Sequence, residues 1–302
     1  MPTENMPSDQ VSIMVLGIMQ DAGLPHIGCR CRRCVQAQAD PDQADFAASL
    51  AIVDDRGPQP AVWLIDATPD IPRQLFMLAD LLTSDSSDTG QLDRLRRPDG
   101  LFLTHAHMGH TVGLAQLGPE GMAAAGLPVY GPAGLIDALG ATQLWRPLVE
   151  SLALQPLPPG QPLQLGADLQ VTPLAVPHRD ELQAGTFAYL IQGPDKQLLY
   201  LPDIDDWDQW PAAGQYMTTV DIALVDATFF GPAELGGRPP VAHPLVTDTL
   251  ARWTSQWAGR KRQLILTHLN HTNPVLDEDS PERRAVLAAG AAVAQTGQII
   301  AL

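Results

Sequence analysis

The chain has 302 residues and carries 34 acidic against 18 basic side chains, giving a formal net charge of −16. This length supports a substantial core without crosslinks, and a hydrophobic content of 45% excludes a disordered or fibrous protein. The acidic surface argues against a nucleic-acid enzyme, because it repels phosphate backbones. The start MPTENMPSDQ lacks signal-peptide features, and no apolar run of about 18 residues is present for a membrane span. We therefore expect a soluble, cytoplasmic protein without nucleic-acid or membrane partners.

The predicted elements begin after a polar tail over residues 1–10, which we expect to be flexible, and residues 11–302 form one predicted domain. The apolar run over 11–19 predicts a buried strand, and QDAGLPHIGC then turns the chain. Strands over 47–53 and 61–65 flank the turn DDRGPQ, and PDIPRQLFMLADLL predicts a helix with Pro72 in its first turn. The polar segment 84–100 predicts a surface connection.

A short apolar strand over 101–104 leads into HAHMGH, a helical stretch and another strand at LPVYG. Later strands are predicted over 169–174, 186–192, 197–201, 222–225, 263–266 and 298–301. Because strands outnumber long helices and alternate with helical stretches, the sequence predicts α/β layers.

The strongest motif is the histidine cluster THAHMGH over 104–110. Alternate residues of an extended segment point the same way, so His105 and His107 can bind one ion, while the following turn directs His110 to a neighbouring position. The alternative is a surface histidine cluster, which the preceding buried strand disfavours. His178 and Asp203 also follow apolar strand-like runs, and strand ends in layered α/β proteins meet at a common rim.

The three cysteines lie within six positions, too close together to crosslink a fold of this size. Cys29, Cys31 and Cys34 supply three thiolates, one short of a tetrahedral zinc site. His271, in THLNH, is our candidate for the fourth ligand, and His268 in the same segment need not bind the same ion. The alternative is three free cysteines beside a buried histidine.

Together these residues resemble the metallo-β-lactamase superfamily, and within it the branch of the pyrroloquinoline quinone (PQQ) biosynthesis protein PqqB and the phosphodiesterase PhnP. The resemblance runs through GLPHIGCRCRRC, ATPDIPRQL, LVDATFFG and THLNHTNPVLDEDSPERR. It implies a four-layered αββα sandwich with a metal site at the edge between its two sheets.

The resemblance also implies a ligand set: His105, His107 and His178 at a first metal position, His110 and His268 at a second, Asp203 as the bridging carboxylate, and Cys29, Cys31, Cys34 and His271 at a structural zinc. The hydrolase motif of the superfamily is HxHxDH, and here Gly109 stands in place of its aspartate. Asp21, in QDAG, is our candidate for the missing ligand, and a turn cap is the alternative.

These ligands predict a divalent cation at the active site, with zinc favoured and iron or manganese as alternatives. Such an ion lowers the pKa of bound water toward about 7, which favours hydrolysis. We expect a small phosphodiester or ester substrate, with Asp203 and His243 as catalytic residues. His243 is the candidate acid for the leaving group, and the alternative is a histidine that only fixes the turn before its proline. Asp66 and Asp226 are expected to orient ligands by hydrogen bonds, and His26 to pack beside the cysteines.

Two other functions remain open at the level of sequence. One is an iron-dependent oxygenase or hydroxylase, or an accessory protein, in PQQ biosynthesis, as the PqqB resemblance implies. The other is a non-catalytic carrier that keeps only the cysteine zinc. The resemblance also suggests a homodimer, because related folds are often dimers.

Overall fold

The structure is a computed structural model that describes residues 9–83, 94–238, 242–257 and 262–302. The strands are β1 (Val11–Gly17), β2 (Ser49–Asp54), β3 (Ala61–Ile65), β4 (Gly100–Phe102), β5 (Pro128–Gly131), β6 (Ala153–Pro156), β7 (Leu163–Gly166), β8 (Leu169–Ala175), β9 (Phe187–Gln192), β10 (Gln197–Leu201), β11 (Ile222–Asp226), β12 (Gln263–Thr267), β13 (Ala292–Val293) and β14 (Ile299–Ala301). The α-helices are α1 (Arg32–Ala39), α2 (Ile71–Met77), α3 (Ala79–Leu82), α4 (Met108–Thr111), α5 (Ala133–Ala141), α6 (Arg146–Ser151), α7 (Ala213–Met217), α8 (Val246–Trp257) and α9 (Pro281–Ala288).

Within the described ranges, the strands form two seven-stranded sheets. The first has the order β14-β1-β2-β3-β4-β5-β6 and the second β13-β12-β11-β10-β9-β8-β7. The sheets face each other, because the ring of Phe102 in β4 packs against Tyr189 in β9 with centroids 5.4 Å apart. The Tyr189 hydroxyl also donates a 2.6 Å hydrogen bond to the Leu103 carbonyl, which ties the sheets together close to β4.

Alternation along the strands accounts for the layers. In β1, Ile13 and Val15 join the larger hydrophobic cluster, whereas Met14 and Leu16 join a second cluster that contains side chains of α2, α3 and α5. On the other sheet, α8 contributes a buried apolar face at helical spacing, with Leu250, Trp253 and Trp257 among its members. Helices thus cover the outer faces of both sheets, and the predicted αββα sandwich is confirmed.

The predicted strands agree with the structure apart from a few end residues, and three strands were missed. The missed strands are β6, β7 and β13, each at the edge of a sheet. The strand predicted over 11–19 ends at Gly17, after a register shift between Val15 and Gly17, and Met19 instead makes isolated bridges to Ala47 and Leu269.

Some sequence predictions cannot be compared with the structure. Residues 1–8 of the tail and 84–93 of the predicted surface connection lie outside the described residues. The single-domain assignment stays a prediction. In the part of the chain that is described, no helix has the length and apolarity needed to cross a bilayer.

The strand directions bring one set of strand ends to a common rim. β3 and β4 run parallel in the first sheet, and β10, β11 and β12 run parallel in the second. β8 shares the direction of β10, because both are antiparallel to β9. The loops that follow these strands carry the candidate metal ligands.

Candidate metal centre

The first sheet contributes the three histidines that follow β4. His105 Nε2 lies 2.9 Å from His107 Nδ1, so both rings present a nitrogen to one point. His110 sits one turn later in α4, and its ring centroid lies 4.2 Å from that of His105. The short helix α4 therefore turns His110 toward a neighbouring position, as the spacing predicts.

The second sheet contributes residues from the ends of β8, β10 and β12. Asp203 Oδ2 lies 3.3 Å from His110 Nε2 and 3.5 Å from His268 Nε2, and its Oδ1 lies 3.6 Å from His178 Nε2. Asp203 thus stands between histidines of both sheets, where a bridging carboxylate is expected.

The potential donor atoms form overlapping groups, in each of which all atoms lie within 4.8 Å of one another. The groups are His105, His107 and His178; His105, His110 and Asp203; Asp21, His110 and His268; and Asp203, Asp226, His243 and His268. The structure therefore brings together every residue that the sequence assigned to the two active-site positions.

Several of these atoms are buried without a hydrogen-bond partner. They include Nε2 of His110, His178 and His268 and Oδ2 of Asp203. Leaving a buried polar atom unsatisfied costs about 1–3 kcal/mol. Four such atoms in one cluster therefore favour a bound group that interacts with all of them. A divalent cation fits this donor set of imidazole nitrogens and a carboxylate.

Hydrogen bonds on the far side of each ring fix which nitrogen faces the centre. His110 Nδ1 lies 2.7 Å from Asp66 Oδ2, and Asp66 also accepts from the Thr104 backbone N–H at 2.7 Å. His105 Nδ1 lies 2.9 Å from Thr104 Oγ1. Asp66 therefore orients the histidine loop, as the sequence predicts.

Similar contacts hold the other rings. His268 Nδ1 lies 3.0 Å from Thr228 Oγ1, and His107 Nε2 lies 3.2 Å from Glu181 Oε2. His178 Nδ1 lies 3.0 Å from Asp205 Oδ1, an ion-pair distance without hydrogen-bond geometry. Thr104, Thr228, Asp205 and Glu181 were not singled out from the sequence. Asp205 lies two residues after Asp203 in the strand-end segment PDIDD, and this alternation is the local signal that could have identified it.

The protonation of the cluster follows from burial and neighbouring charge. Burial lowers the pKa of His105 and His268 well below the ordinary range, and lowers the pKa of His178 to about 2. These imidazoles are neutral at pH 7, which is the form that binds metal. Burial also opposes a charge on His110, but the Asp66 and Asp203 carboxylates outweigh it and raise its pKa to about 10.

His243 forms a buried pair with Asp226. Its Nδ1 lies 2.7 Å from Asp226 Oδ2, and its ring centroid lies 5.5 Å from that of His178. Burial opposes protonation, but the Asp226 carboxylate raises the pKa of His243 to about 9. Asp226 also accepts from the Ile204 backbone N–H at 3.1 Å, so it links the pair to the loop that carries Asp203.

The cysteine loop forms a second donor cluster with His271. The sulfur atoms of Cys29, Cys31 and Cys34 and a ring nitrogen of His271 lie within 4.8 Å of one another. Cys31 caps helix α1, His271 Nδ1 is buried without a partner, and the ring of His26 packs 4.5 Å from that of His271. Three sulfurs and one imidazole match the donor set of a closed tetrahedral zinc site.

A pocket of about 230 Å³ opens beside His105 and His107. Its other lining residues are Ala106, Met108, Arg179, Asp180, Glu181, Leu182 and Thr186. Met108 and Leu182 expose apolar side chains there, and Arg179 Nε pairs with Glu181 Oε1 at 2.9 Å. The pocket is small and combines apolar and charged walls.

The chain is similar to known proteins over most of its length. A family model for the beta-lactamase superfamily domain matches residues 63–269. Coenzyme PQQ synthesis protein B of Methylobacterium radiotolerans is 29% identical over 324 residues, which cover 96% of this chain and 99% of that protein.

Two solved structures share the fold across almost the whole chain. Zinc-bound PqqB from Methylobacterium extorquens superposes with a TM-score of 0.78 at 23% identity, covering 96% of this chain and 100% of that one. A diphosphatase from the PhnP family superposes with a TM-score of 0.71 at 20% identity, covering 97% of both chains. At these identities the two structures establish the fold alone.

Proposed function

The chain belongs to the beta-lactamase superfamily, and from that premise we propose that it is a metal-dependent hydrolase of a small phosphodiester or ester. The observation that carries the proposal is the convergence of buried, unpartnered donor atoms from both sheets around Asp203. The proposed active-site ligands are His105, His107, His110, His178, Asp203 and His268. These donors would hold a divalent cation, which when bound would activate water and stabilise negative charge on the substrate.

The surrounding residues keep each ligand in one tautomer. Asp66 accepts from His110 Nδ1–H and Thr228 from His268 Nδ1–H, so Nε2 of each ring faces Asp203. When a cation binds, His110 would release the Nε2 proton that its raised pKa retains. His107 uses Nδ1, because Glu181 lies against its Nε2. This preorganisation removes the need to reorient side chains when substrate binds.

We assign His243 as the proton donor to the leaving group. Asp226 accepts from its Nδ1–H, which leaves Nε2 as the ring nitrogen available to a substrate. The same carboxylate stabilises the imidazolium, so His243 can hold a proton at Nε2 until the leaving group takes it. Positioned proton donors of this kind contribute about 10²–10⁴-fold to rates.

The pocket beside His105 and His107 supports a small substrate. Its volume of about 230 Å³ suits a compact molecule, and Met108 and Leu182 supply apolar contact. The net charge of −16 disfavours nucleic acid as a substrate.

The same proposal includes zinc at the cysteine cluster, a cytoplasmic location and a homodimer.

The test combines metal analysis with hydrolysis of bis(p-nitrophenyl) phosphate and p-nitrophenyl acetate. His105→Ala is expected to lose cation and activity together, whereas His243→Asn is expected to keep the cation and lose about 10²–10⁴-fold in kcat. His26→Ala, which alters a histidine outside the centre, serves as the matched control. Full turnover in His105→Ala, or in wild-type protein stripped of its cation, would refute the proposal of a metal-dependent hydrolase. An unchanged kcat in His243→Asn would refute only the assignment of His243 as the proton donor.

A role in PQQ synthesis is the second candidate, favoured by the similarity to coenzyme PQQ synthesis protein B over 96% of this chain. In that case the same imidazoles and carboxylate would bind iron, which suits such ligands as well as zinc does. Iron in the purified protein together with oxygen consumption, and restored PQQ production in a strain lacking protein B, would favour this role. Zinc without oxygen consumption would exclude the oxygenase.

A further inference from the structure

The loop after β1 fills the space beside Gly109. A Cβ atom built on Gly109 would lie 2.2 Å from Asp21 Oδ1 and 2.5 Å from Asp21 Cα. Gly109 does not have the positive φ that favours glycine. The absence of a side chain at residue 109 is therefore required by the close approach of Asp21, and not by the backbone conformation of α4.

The Asp21 carboxylate reaches two imidazoles that lack a partner. Its Oδ1 lies 3.6 Å from His110 Nε2, and donor atoms of Asp21, His110 and His268 lie within 4.8 Å of one another. Nε2 of both histidines is buried without a hydrogen-bond partner, and the two residues are 1% and 0% exposed. Asp21 thus approaches the second position from the side of α4, where the HxHxDH motif would place its aspartate.

Backbone contacts hold Asp21 in this place. The Gln20 N–H donates to the Leu269 carbonyl at 2.9 Å, which ties the turn to the residue after His268. The Gly23 N–H closes the turn by donating to the Gln20 carbonyl at 3.1 Å. Asp21 itself has a φ of +32°, in a region that non-glycine residues rarely adopt. Such strain persists where the surrounding structure imposes it, and it often accompanies a functional constraint.

We propose that Asp21 is an oxygen ligand of the second cation position, in place of the carboxylate that HxHxDH motifs carry at the position of Gly109. The inference rests on the two-position centre of the proposed function. The second position would then have two imidazoles, from His110 and His268, and two carboxylates, from Asp203 and Asp21. That donor set suits zinc, manganese or iron and does not favour a soft monovalent ion.

Manganese provides a selective probe, because it prefers nitrogen and oxygen ligands to the thiolates of the cysteine cluster. Two Mn²⁺ ions bridged by Asp203 give an exchange-coupled electron paramagnetic resonance spectrum, whereas one ion gives an isolated spectrum. We expect the coupled spectrum for wild type and an isolated one for Asp21→Ala, with at least a tenfold weaker second binding step by calorimetry. Asp21→Leu, whose side chain has a similar branched shape and no oxygen donor, covers the case in which Asp21→Ala does not fold.

Gly109→Ala tests the same contact without removing a ligand. Its methyl group would displace Asp21, so it is expected to lose the second ion as Asp21→Ala does, with an unchanged circular dichroism spectrum. Asp42→Ala, an exposed aspartate in the turn after α1, is the matched control and should retain the coupled spectrum.

The outcomes separate this inference from the proposed function. A coupled spectrum and full affinity in folded Asp21→Ala or Asp21→Leu would overturn the role of Asp21. A single ion in wild type would also overturn it, while leaving hydrolysis at the first position intact. No ion bound among the histidines of wild type would overturn the proposed function as well.

Discussion

Replacing Asp66 by asparagine would reverse the hydrogen bond that orients His110. Asp66 Oδ2 lies 2.7 Å from His110 Nδ1, and a carboxylate accepts this hydrogen bond, so Nδ1 keeps its proton and Nε2 is the nitrogen that a cation would bind. An amide nitrogen at the same place would donate, so Nδ1 would have to accept and the proton would move to Nε2. Rotating the amide does not help, because its nitrogen would then face the Thr104 backbone N–H, 2.7 Å from Oδ1.

The magnitude follows from the same contacts. Losing such an orienting partner weakens metal affinity by about 10–100-fold, which corresponds to about 1.4–2.8 kcal/mol. Replacing one charge-assisted hydrogen bond in a buried site should lower the free energy of unfolding by about 1–2 kcal/mol. For 302 residues, an unfolding entropy of about 2.1 cal/mol/K per residue converts this into a Tm lower by about 2–3 °C.

The assay is calorimetric titration of the apoprotein with Zn²⁺ in competition with a chelator, alongside thermal unfolding. Asp221→Asn is the matched control, because Asp221 Oδ2 accepts from the Gln197 N–H at 2.9 Å where β10 and β11 begin, at the far end of these strands from the metal centre. It should lower Tm to a similar extent and leave zinc affinity unchanged. Wild-type affinity at every site in Asp66→Asn would refute the tautomer argument.

Three further changes give distinct readouts. Cys34→Ser should remove one zinc equivalent and lower Tm while hydrolysis by the histidine centre persists, and an unchanged zinc content by mass spectrometry would contradict the cysteine site. Burial raises the pKa of Asp45 to about 6, so folding favours its neutral form. The stabilisation from this neutral carboxyl is complete below about pH 4 and is lost as the pH rises through 6. Asp45→Asn should therefore gain stability relative to wild type in urea unfolding at pH 8, by about 3 kcal/mol, and show no relative gain at pH 4. Glu181→Gln should weaken cation binding less than tenfold, since its side chain is 61% exposed, and a larger loss would mean that the contact to His107 is stronger than an exposed pair.

The central strands could be predicted from the sequence because both of their faces are buried. β3 and β10 lie at the predicted bounds, and both are almost wholly buried. The edge strands β6 and β7 pair on one side, leave many side chains exposed and carry little apolar pattern. The apolar periodicity of a sequence indicates which residues are buried, so it does not predict strands that have few buried side chains.

The residues of the candidate centre and the orienting role of Asp66 could be predicted from spacing and resemblance. The contacts of Thr104, Thr228, Asp205 and Glu181 with the histidine rings could not. His105, His107 and His110 are close in sequence, and their type already indicates a cation. The role of Thr228 depends on two strand ends meeting, and the contact of Asp21 with Gly109 joins loops far apart in the chain. Such contacts exist only once the strands of each sheet have paired, so no local pattern encodes them.

The donors of the centre come from opposite sheets, with His105, His107 and His110 on one and His178, Asp203 and His268 on the other. A bound cation would therefore act as a clamp across a single rim of the sandwich, in addition to the hydrogen bond from the Tyr189 hydroxyl to the Leu103 carbonyl. The clamp strengthens with free ion concentration. The metal supply around the protein therefore sets how often this rim opens and how fast amide hydrogens beside β4 and β12 exchange with solvent.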